Sequence, residues 1–484
     1  MTPHAQDDRP LYVDLDGTLT PSDTLHESVM LFIRQHPVNL LRMIGWLPRG
    51  KAGFKRALAD AVTPDPAALP WRTDFIDFLR AEHARGRTLV LASAADARIG
   101  QRVADHLGVF SDVIGTHDGE HNLSREAKRE AIAAHARANG HAEWAYAGNS
   151  ADDLAVWAGC HEAIAVNAPR SVLQRLSASQ AVAKHFEQAP LSLKTLLRAI
   201  RIKQWSKNGL IFLPLLAAHS LSPQLWLQAI LAFLAFGLCA SATYLVNDLI
   251  DLPSDRVHRT KRFRPLAAGT VSIATAVPLG VAMIVVAFAL AVWVGWPFAA
   301  MLLLYTVLTL GYSLRWKRIA LFDVLLLATL YTLRIGAGAL ATGVDLSNWL
   351  LAISIFLFLS LALVKRCAEL EEAVAADQGL APGRGYQPSD LPSLRAMGMS
   401  SGFMAVLVLA LYIDSPNSRS LYAQPDLLWA ASPVLLLWVM RIWLKTGRRE
   451  LHGDDPLAFA LKDPFSWVTV AVMIGIGLLA TIGV

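Results

Sequence analysis

Cysteine is scarce in this chain of 484 residues, and its three copies lie far apart. Cys160, Cys239 and Cys367 form no Cys-x-x-Cys motif. We therefore interpret each of them as a small apolar residue, either in a reducing compartment or within a membrane. No internal repeat and no low-complexity tract is evident.

Charge is also sparse, at 17% of residues, and the mean hydropathy is +0.39. This average hides a sharp division, because residues 1–190 resemble a soluble protein whereas the remainder is a succession of apolar runs. Residues 229–246, for example, carry no charged side chain. The length allows two or more domains, and we predict one at 1–190 and a second at 191–484.

A secretory signal peptide is not expected. The first ten residues are polar, and a strand-like run follows them in place of an apolar segment with a small-residue cleavage site.

The apolar runs predict membrane-spanning helices, since most are near the roughly 20 residues that a bilayer requires. Nine spans are expected, at about 208–219, 225–247, 273–293, 297–314, 320–341, 348–364, 397–413, 427–444 and 465–484.

Lys and Arg concentrate on one side of these predicted spans. They cluster at 194–207, 256–264, 315–318, 365–395 and 441–462, whereas the opposite loops hold little beyond Arg419. The positive-inside rule then places the N-terminal domain in the cytoplasm of a bacterium and Val484 on the periplasmic side of its inner membrane.

Four side chains with potential metal ligands gather at the end of the second predicted span. Asn247, Asp251 and Asp255 share one helical face by their spacing of four, although Pro253 should end the helix near Asp251 and leave Asp255 in a loop. Together with Asp248, these side chains offer the oxygen ligands that Mg²⁺ prefers. Carboxylates at the edge of a membrane cost free energy, so their presence indicates a function. The alternative is a helix-capping cluster in a solvated loop.

The stretch 247–256, together with 258–269, closely resembles the first aspartate-rich motif of the UbiA superfamily of membrane prenyltransferases. Within that superfamily, residues 195–484 are most similar to the decaprenyl-phosphate phosphoribosyltransferases. Supporting segments are 201–208, Tyr312 and Ser313 with Lys317 and Asp323, 365–370 and 452–456. Where the superfamily usually has another acid beyond Asp323, this chain has Leu326, Leu327 and Ala328, so a second fully coordinated metal is not expected.

The resemblance implies Mg²⁺-dependent transfer of 5-phosphoribosyl from phosphoribosyl pyrophosphate to a polyprenyl phosphate. Asp251 and Asp255 would be catalytic, and Asn247 and Asp248 would join them as metal ligands. Two anionic substrates repel each other unless cations lie nearby. The implied substrate-binding residues are Lys203, Lys207, Asn208, Tyr244, Arg256, Lys261, Arg262, Arg264, Tyr312, Lys317, Asp323, Arg334, Lys365 and Arg366. Arg334 lies within a predicted span, and its alternative role is as a structural partner for a distant acid or carbonyl.

Near the N-terminus, a short apolar run at 11–13 ends in Asp14, Asp16 and a glycine turn. It resembles the DxDGT motif of the haloacid dehalogenase (HAD) superfamily, a likeness that covers residues 8–186. Ser93 after a strand, Lys128 on a helix and the loop 148–153 after a third strand follow in the family's order. Alternating strands and helices predict a Rossmann-like parallel sheet, with a small helical cap at 21–70. We interpret residues 40–47 as cap core, with bilayer contact as the alternative.

The HAD resemblance also implies roles for these residues. Asp14 would attack phosphorus, and Asp16 would act as general acid and base. Ser93 and Lys128 would hold the phosphoryl oxygens. Asp14, Asp16, Asn149 and Asp153 would bind Mg²⁺, with Asn149, where many members have Asp, ligating through its carbonyl oxygen.

The two halves together predict a bifunctional enzyme. A HAD phosphatase on the same side of the membrane can remove the 5-phosphate of the transferred group and leave polyprenyl-phosphoryl-ribose. By analogy, that lipid would be a precursor for arabinose or ribose in surface polysaccharide. One alternative is a UbiA-type prenyltransferase with an aromatic acceptor. Another makes the N-terminal half a non-catalytic binding module. The expected partners are phosphoribosyl pyrophosphate, the polyprenyl phosphate and the membrane. Nucleic acid is not expected as a partner, and the sequence leaves homo-oligomerisation open.

Overall fold

The computed structural model describes residues 9–35, 38–116, 123–187, 190–375, 385–451 and 463–482. They form two compact units, one of residues 1–201 with 244–280 and one of residues 202–243 with 281–484. These units do not follow the predicted domain boundary at 190, because the segment that carries the aspartate cluster packs with the N-terminal residues.

The first unit contains a sheet of six parallel strands in the order β3-β2-β1-β4-β5-β6. The strands are β1 (Leu11–Val13), β2 (Leu89–Asp96), β3 (Asp112–Thr116), β4 (Ala145–Gly148), β5 (Glu162–Val166) and β6 (Val182–Phe186). Val13 of β1 is in register with Ala147 of β4, so the carboxyl ends of these two strands lie side by side. The predicted Rossmann-like parallel sheet is confirmed.

The sheet is buried on both faces, as is usual for parallel strands. Because successive residues of a strand point to opposite faces, Leu11 and Val13 pack into one apolar cluster with Phe75. Tyr12 packs into a second cluster with Trp157 on the other face.

Among the described residues before Ile202 there are nine α-helices, and the first three form the cap between β1 and β2. They are α1 (Thr24–Gln35), α2 (Asn39–Trp46), α3 (Gly50–Ala61), α4 (Thr73–Ala84), α5 (Ala97–Leu107), α6 (Arg125–Ala138), α7 (Leu154–Trp157), α8 (Arg170–Ser179) and α9 (Leu193–Ala199). Short 3-10 helices lie at Leu47–Arg49, Pro66–Ala68 and Ala151–Asp153.

The prediction that residues 40–47 form cap core is wrong for one face of α2. Met43 and Trp46 pack against the cap cluster around Phe32. Leu41 and Ile44, by contrast, are 67% and 56% exposed. Apart from Arg42 the run is apolar, but the cap packs against only one side of α2, so Leu41 and Ile44 on the other side stay exposed.

The remaining helices are mostly long and apolar. They are α10 (Leu213–Ala217), α11 (Pro223–Ile250), α12 (Leu252–Val257), α13 (Ile273–Val294), α14 (Trp296–Leu314), α15 (Phe322–Thr342), α16 (Asn348–Ala375), α17 (Leu391–Ile413), α18 (Pro416–Leu421), α19 (Ala431–Gly447) and α20 (Pro464–Ile482). Further 3-10 helices lie at Ile202–Phe212, Lys261–Phe263, Trp316–Arg318, Pro388–Asp390 and Pro425–Ala430.

Within the described ranges, eight helices are long and apolar enough to cross a membrane, namely α11, α13, α14, α15, α16, α17, α19 and α20. The protein is therefore a multi-pass membrane protein. The predicted count of nine is not confirmed, because the segment predicted at 208–219 is split between the 3-10 helix Ile202–Phe212 and the short α10.

That split segment nevertheless runs beside α11. The Trp205 indole donates to Ser241 Oγ at 2.9 Å, and Phe212 stacks on Trp226 with ring centroids 5.8 Å apart. Trp226 lies near the start of α11 and Ser241 further along it, whereas Trp205 precedes Phe212, so the segment is antiparallel to α11. At about 2.0 Å per residue for the 3-10 part and about 1.5 Å for α10, its 11 and 5 residues span about 30 Å, which is the thickness of the bilayer core.

The core of the second unit lies between α15 and α16, with α17 and α19 packed around them. Val324 and Ala328 of α15 share one buried cluster with Val364 of α16 and Trp443 of α19. This packing brings the polar residues of α15 and α16 close together in an otherwise apolar environment.

Candidate functional sites

The first site lies at the carboxyl ends of β1 and β4. Asp14 directly follows β1, its N–H donates to Ala147 O at 2.9 Å, and Asn149 directly follows β4. Lys128 reaches the same place from α6, with its Nζ 2.6 Å from Asp14 Oδ1 and 3.6 Å from Asp153 Oδ1. The structure thus brings together four of the residues that the HAD resemblance implied.

Asp153 is held firmly by its own loop. It accepts hydrogen bonds from Tyr146 Oη at 2.5 Å and from the N–H groups of Asn149 and Ser150 at 3.0 and 2.8 Å. Burial on its own would raise the pKa of Asp153, but Lys128 and these hydrogen bonds together lower it. Asp153 is therefore an oriented carboxylate.

Asp14 and Asp16 are in a different electrostatic state. Burial raises the pKa of Asp14 to about 6, even though Lys128 opposes the shift. Burial, with Asp23 as the next cause, raises the pKa of Asp16 to about 7. The carboxylate of Asp16 accepts hydrogen bonds from the backbone N–H of Thr24 at 2.7 Å and from the Thr24 hydroxyl at 3.2 Å. The site is thus short of positive charge.

The residues implied as metal ligands, Asp16 through its carbonyl, all line one cavity of about 360 Å³: Asp14, Asp16, Asn149 and Asp153. Within the described part of the chain, no three His, Cys, Asp or Glu side chains are already arranged around a common point. The donors are nevertheless all oxygens, and a divalent cation would supply the missing positive charge. The residues therefore fit Mg²⁺.

Other residues of this cavity differ from the predicted set. Ser93 is buried and its Oγ accepts from the Ala95 N–H at 3.0 Å, while its neighbour Ala94 lines the cavity. Lys55, from α3 of the cap, also lines the cavity, and its Nζ donates to Ala94 O at 2.9 Å. The sequence analysis missed Lys55 because no motif relates a cap residue to the strand ends. Thr18, also missed, donates to both Asp14 and Asn149 at 3.3 Å.

The aspartate cluster lies where α11 meets α12. As expected, the first helix ends just before Asp251. Asp255, however, lies in α12 and not in a loop. Pro253 does not prevent this helix, because it lies in the first turn. The residues of a first turn donate no intrahelical N–H hydrogen bond, so the missing N–H of proline costs nothing there. Asn247 Nδ2 donates to Asp251 Oδ2 at 3.1 Å.

Two arginines bind the acids of this cluster. Arg264 Nη1 lies 2.5 Å from Asp255 Oδ2 and 3.2 Å from Asp248 Oδ1, so it bridges them. Arg201 Nη2 lies 2.5 Å from the same Asp248 oxygen, and its guanidinium stacks over the Tyr244 ring at 5.0 Å. Arg201 was not among the predicted site residues, although it begins the recognised segment 201–208.

The cluster also fits a hard divalent cation by its donor types. Asp248 and Asp255 are buried, and buried carboxylates need compensating positive charge, which Arg201 and Arg264 provide here. Asn247 and Asp251 add amide and carboxylate oxygens. Across the residues described, no preformed group of three acids, cysteines or histidines occurs here either, so Mg²⁺ binding stays a proposal.

Arg256 does not have the predicted surroundings. Its guanidinium is 7% exposed and binds the carboxylate of Glu27 on α1, with a shortest distance of 2.6 Å. The structure therefore gives Arg256 a structural contact with the cap, and its expected contact with the substrate stays a prediction. Lys261 and Arg262 are exposed on the 3-10 helix that follows.

In the second unit, Asp323 is fully buried and lies at the start of α15. Arg366 Nε contacts Asp323 Oδ2 at 2.5 Å, and Tyr386 Oη donates to Oδ1 at 2.5 Å. Arg366 also pairs with Glu369 and donates to Tyr312 Oη at 3.2 Å. The predicted residues Asp323, Tyr312 and Arg366 thus meet. Both oxygens of Asp323 accept hydrogen bonds, one from Arg366 and one from Tyr386, and the expectation of no second fully coordinated metal stays a prediction.

A second polar group surrounds Arg334 of α15. Its guanidinium donates to Asn208 Oδ1 at 3.0 Å, to Tyr305 Oη at 2.9 Å and to Leu330 O at 2.5 Å. Leu330 lies one turn earlier in the same helix, so its carbonyl is not a distant partner, and the predicted substrate role of Arg334 stays a prediction. Asn208 is 1% exposed, and its Nδ2 has no hydrogen-bond partner within the described residues. A buried donor left unpaired beside a fixed cation indicates a place for a ligand acceptor.

The remaining predicted cations are distributed around these groups. Lys207 Nζ lies 5.6 Å from the centre of the Tyr331 ring, and Lys365 Nζ lies 4.0 Å from Glu369. Lys203 is exposed and Lys317 is half-buried. The segment 452–456 lies outside the described residues.

Comparisons with known proteins divide the chain in the same way as its motifs. The UbiA prenyltransferase family model matches residues 209–462, and that of the haloacid dehalogenase-like hydrolases matches residues 11–157. Protein y4nM of Sinorhizobium fredii is 37% identical over 467 residues, which cover 96% of this chain and 89% of that protein. The decaprenyl-phosphate phosphoribosyltransferase of Mycolicibacterium smegmatis is 34% identical over 286 residues, covering 58% and 90% respectively. Nodulation protein NoeC of Azorhizobium caulinodans is 32% identical over 286 residues, covering 58% and 92%.

Proposed function

Because the chain belongs to the UbiA prenyltransferase family and carries a haloacid dehalogenase-like domain before it, we propose that it is a bifunctional enzyme that makes a lipid-linked pentose. The first reaction transfers 5-phosphoribosyl from phosphoribosyl pyrophosphate to a polyprenyl phosphate. The second removes the 5-phosphate and leaves polyprenyl-phosphoryl-ribose.

The observation that carries this proposal is the packing of the aspartate cluster and the HAD-like domain in one compact unit. The relative with 37% identity aligns over almost the whole chain and so includes both halves. Relatives named decaprenyl-phosphate phosphoribosyltransferase support the choice of donor and acceptor. A phosphorylated lipid product made beside a phosphatase domain gives that domain a substrate.

In the transfer, the bond from the anomeric carbon to the pyrophosphate oxygen breaks, and a bond to an oxygen of the lipid phosphate forms. Asn247, Asp248, Asp251 and Asp255 would hold Mg²⁺, whose charge stabilises the leaving pyrophosphate. Arg201 and Arg264, which now pair with the acids, can turn to phosphate oxygens when a metal neutralises the cluster. Such cations lower the repulsion between the two anionic substrates.

The groups around Arg334 and Asp323 in the second unit support an anionic or hydroxyl-bearing ligand. Arg334 is held in place by Tyr305 and by the Leu330 carbonyl, so it is a preorganised cation. The unpaired Nδ2 of Asn208 beside it can donate to a phosphate or ribose oxygen. A site with a fixed cation and a spare donor recognises a phosphorylated sugar better than an aromatic ring.

In the phosphatase site, Asp14 forms a bond to the phosphorus while the ester oxygen leaves with a proton from Asp16. The raised pKa of Asp16, about 7, suits this exchange of a proton near neutral pH. Lys128 and a Mg²⁺ ion held by Asp14, Asp16, Asn149 and Asp153 would offset the charge of the phosphoryl group. Water then cleaves the aspartyl-phosphate, after Asp16 removes its proton, and releases inorganic phosphate.

The proposed location is a bacterial inner membrane, with the HAD-like domain in the cytoplasm. The basic loops that follow the predicted spans support this orientation.

The direct test incubates the purified full-length protein with phosphoribosyl pyrophosphate, a polyprenyl phosphate and Mg²⁺, and then measures the lipid product by mass spectrometry. We expect the mass of polyprenyl-phosphoryl-ribose. The proposal would be wrong if no ribosylated lipid forms and the protein instead transfers the prenyl group of a polyprenyl pyrophosphate to an aromatic acceptor. That result would support the other UbiA-type reaction.

A further inference from the structure

Arg256 and Glu27 link the segment that follows the aspartate cluster to the phosphatase cap. Arg256 Nη2 lies 2.6 Å from Glu27 Oε1, and Nη1 lies 3.0 Å from Oε2, so the contact is a bidentate ion pair. Its two side chains are 7% and 5% exposed, and Ser22 also donates to Glu27. The rest of the guanidinium donates to Ala68 O at 3.1 Å and to Ala267 O at 3.2 Å.

This ion pair therefore joins both ends of the cap to one loop. Glu27 lies on the first cap helix and Ala68 in the last turn of the cap, whereas Ala267 belongs to the loop between α12 and α13. A buried charge pair holds its geometry closely, because separation would leave each charge without its partner.

Gly269 of the same loop packs against the two chain connections of the cap. Its φ is +69°, and a Cβ there would lie 2.6 Å from Pro21 Cγ and 3.4 Å from Pro70 Cβ. Pro21 precedes the cap helices and Pro70 follows them. The loop thus supports the cap at both places where it joins the sheet domain, independently of the ion pair.

The cavity that holds Asp14 and Lys128 is completed by the same segment. Ser272, Ile273 and Ala274 line it together with the HAD residues. Ile273 and Ala274 begin α13, which is one of the candidate membrane spans. One wall of the phosphatase cavity is therefore the first turn of a membrane helix.

The size of the cavity limits what it can enclose. A volume of about 360 Å³ is near the lower limit for ligand pockets, so it accommodates a phosphorylated headgroup but not a polyprenyl chain. A substrate whose apolar part is anchored in the bilayer can present its phosphate beside the first turn of α13.

We propose that the phosphatase site selects phosphomonoesters anchored in the membrane over soluble ones, and that Glu27 is a positioning residue for this selection. The Glu27–Arg256 ion pair and the Gly269 contact hold the cap so that the cavity stays joined to the start of α13. This inference rests on the proposed phosphatase activity, and it adds the preference over soluble phosphomonoesters and the residues that hold the cap for it. The reaction is hydrolysis, in which the ester P–O bond breaks and water supplies the new oxygen on phosphorus.

The test uses full-length protein in phosphatidylcholine vesicles that contain polyprenyl-phosphoryl-ribose 5-phosphate, with p-nitrophenyl phosphate as the soluble probe. The variant is Glu27→Gln, and the matched control is Glu126→Gln, which alters a solvent-exposed pair with Arg129 in the same domain. We expect Glu27→Gln to lower kcat/KM for the lipid at least tenfold and to leave kcat/KM for p-nitrophenyl phosphate within twofold of wild type. Glu126→Gln should change neither.

Gly269→Ala provides a second variant that acts from the loop side, and it should produce the same loss of lipid selectivity. If either folded variant lowers both activities equally, or changes neither, the selection role is wrong while the phosphatase proposal stands. Wild-type protein that hydrolyses neither probe contradicts the phosphatase proposal itself, and the inference with it.

Discussion

At the scale of single residues, each half of the protein depends on carboxylates whose surroundings differ. In the HAD-like half, Asp14 pairs with Lys128 inside a cavity. In the membrane half, Asp255 pairs with Arg264 at the end of a long apolar helix. The two sets share no side chain, so substitutions can separate the two reactions.

Asp14→Asn should abolish the phosphatase without changing the transfer. The amide keeps the shape of the side chain but cannot form the aspartyl-phosphate. The lipid product should accumulate with its 5-phosphate, heavier by one phosphate than the wild-type product in mass spectrometry. Identical products from the two proteins would leave the N-terminal half as a binding module or as an enzyme for another substrate.

Asp255→Asn should have the opposite effect. It removes a charge that the proposed Mg²⁺ needs, and we expect the rate of lipid-linked ribose formation to fall by about two orders of magnitude or more. Hydrolysis of p-nitrophenyl phosphate by the same preparation should be unchanged. Asp414→Asn, at an exposed ion pair with Arg419, is the control and should affect neither activity. Wild-type transfer by the Asp255 variant would show that the membrane site is assigned incorrectly.

At the scale of elements, the segment from Ile202 to Ala217 carries much of the second unit's organisation. It places Asn208 beside Arg334, and its backbone at Ile211 lies directly against Gly338 of α15. A Cβ at Gly338 would lie 2.8 Å from the Ile211 carbonyl carbon, closer than real Cβ atoms approach. The absence of a side chain at this position allows the segment to pack there.

Gly338→Ala should therefore destabilise the protein, although alanine generally favours a helix. Overpacking costs about 1–3 kcal/mol, which exceeds the helical gain of up to about 1 kcal/mol. The control is Gly336→Ala in the same helix, where the nearest atom to a new Cβ is Met301 Cε at 3.8 Å. Thermal unfolding in detergent should show a lower midpoint for the first variant only. Equal midpoints would mean that the segment does not pack tightly on α15.

At the scale of the whole molecule, the number of crossings decides the side on which the chain ends. The eight long helices alone are an even number. The segment Ile202–Ala217 spans about 30 Å and runs antiparallel to α11, as a ninth crossing would. An odd number of crossings places the two termini on opposite sides of the membrane.

Reporter fusions test this topology. A fluorescent protein fused before Met1 should be fluorescent in the cytoplasm, and alkaline phosphatase fused after Val484 should be active in the periplasm. A fusion in the 256–264 loop, which is basic, should behave like the N-terminal one. If both termini report the same side, the segment Ile202–Ala217 does not cross.

Features that depend on neighbouring residues could be predicted from the sequence. The run of apolar residues in α11, its end just before Asp251, and the short strand before Asp14 appear as expected. Such patterns are local, because the periodicity of a helix or a strand can be seen within a short stretch of sequence. The free-energy cost of a charged residue in a membrane likewise depends on its position within one span. The breaks in those patterns were harder to predict. Asp255, for example, was predicted to lie in a loop but lies in the short helix α12. Proline is tolerated in the first turn of a helix.

Which residues far apart in the chain contact each other could not be predicted from the sequence and follows from the packing of the fold. Glu27 and Arg256 are separated by 229 positions, and neither position carries a pattern that points to the other. The same holds for Tyr386 on Asp323, and for the wall that α13 supplies to the cavity of Asp14. A side chain's periodicity shows which face it occupies, but its partner depends on how whole helices and loops pack. For this reason the sequence did not indicate that Arg256, which was predicted to bind the substrate, pairs with Glu27 of the cap.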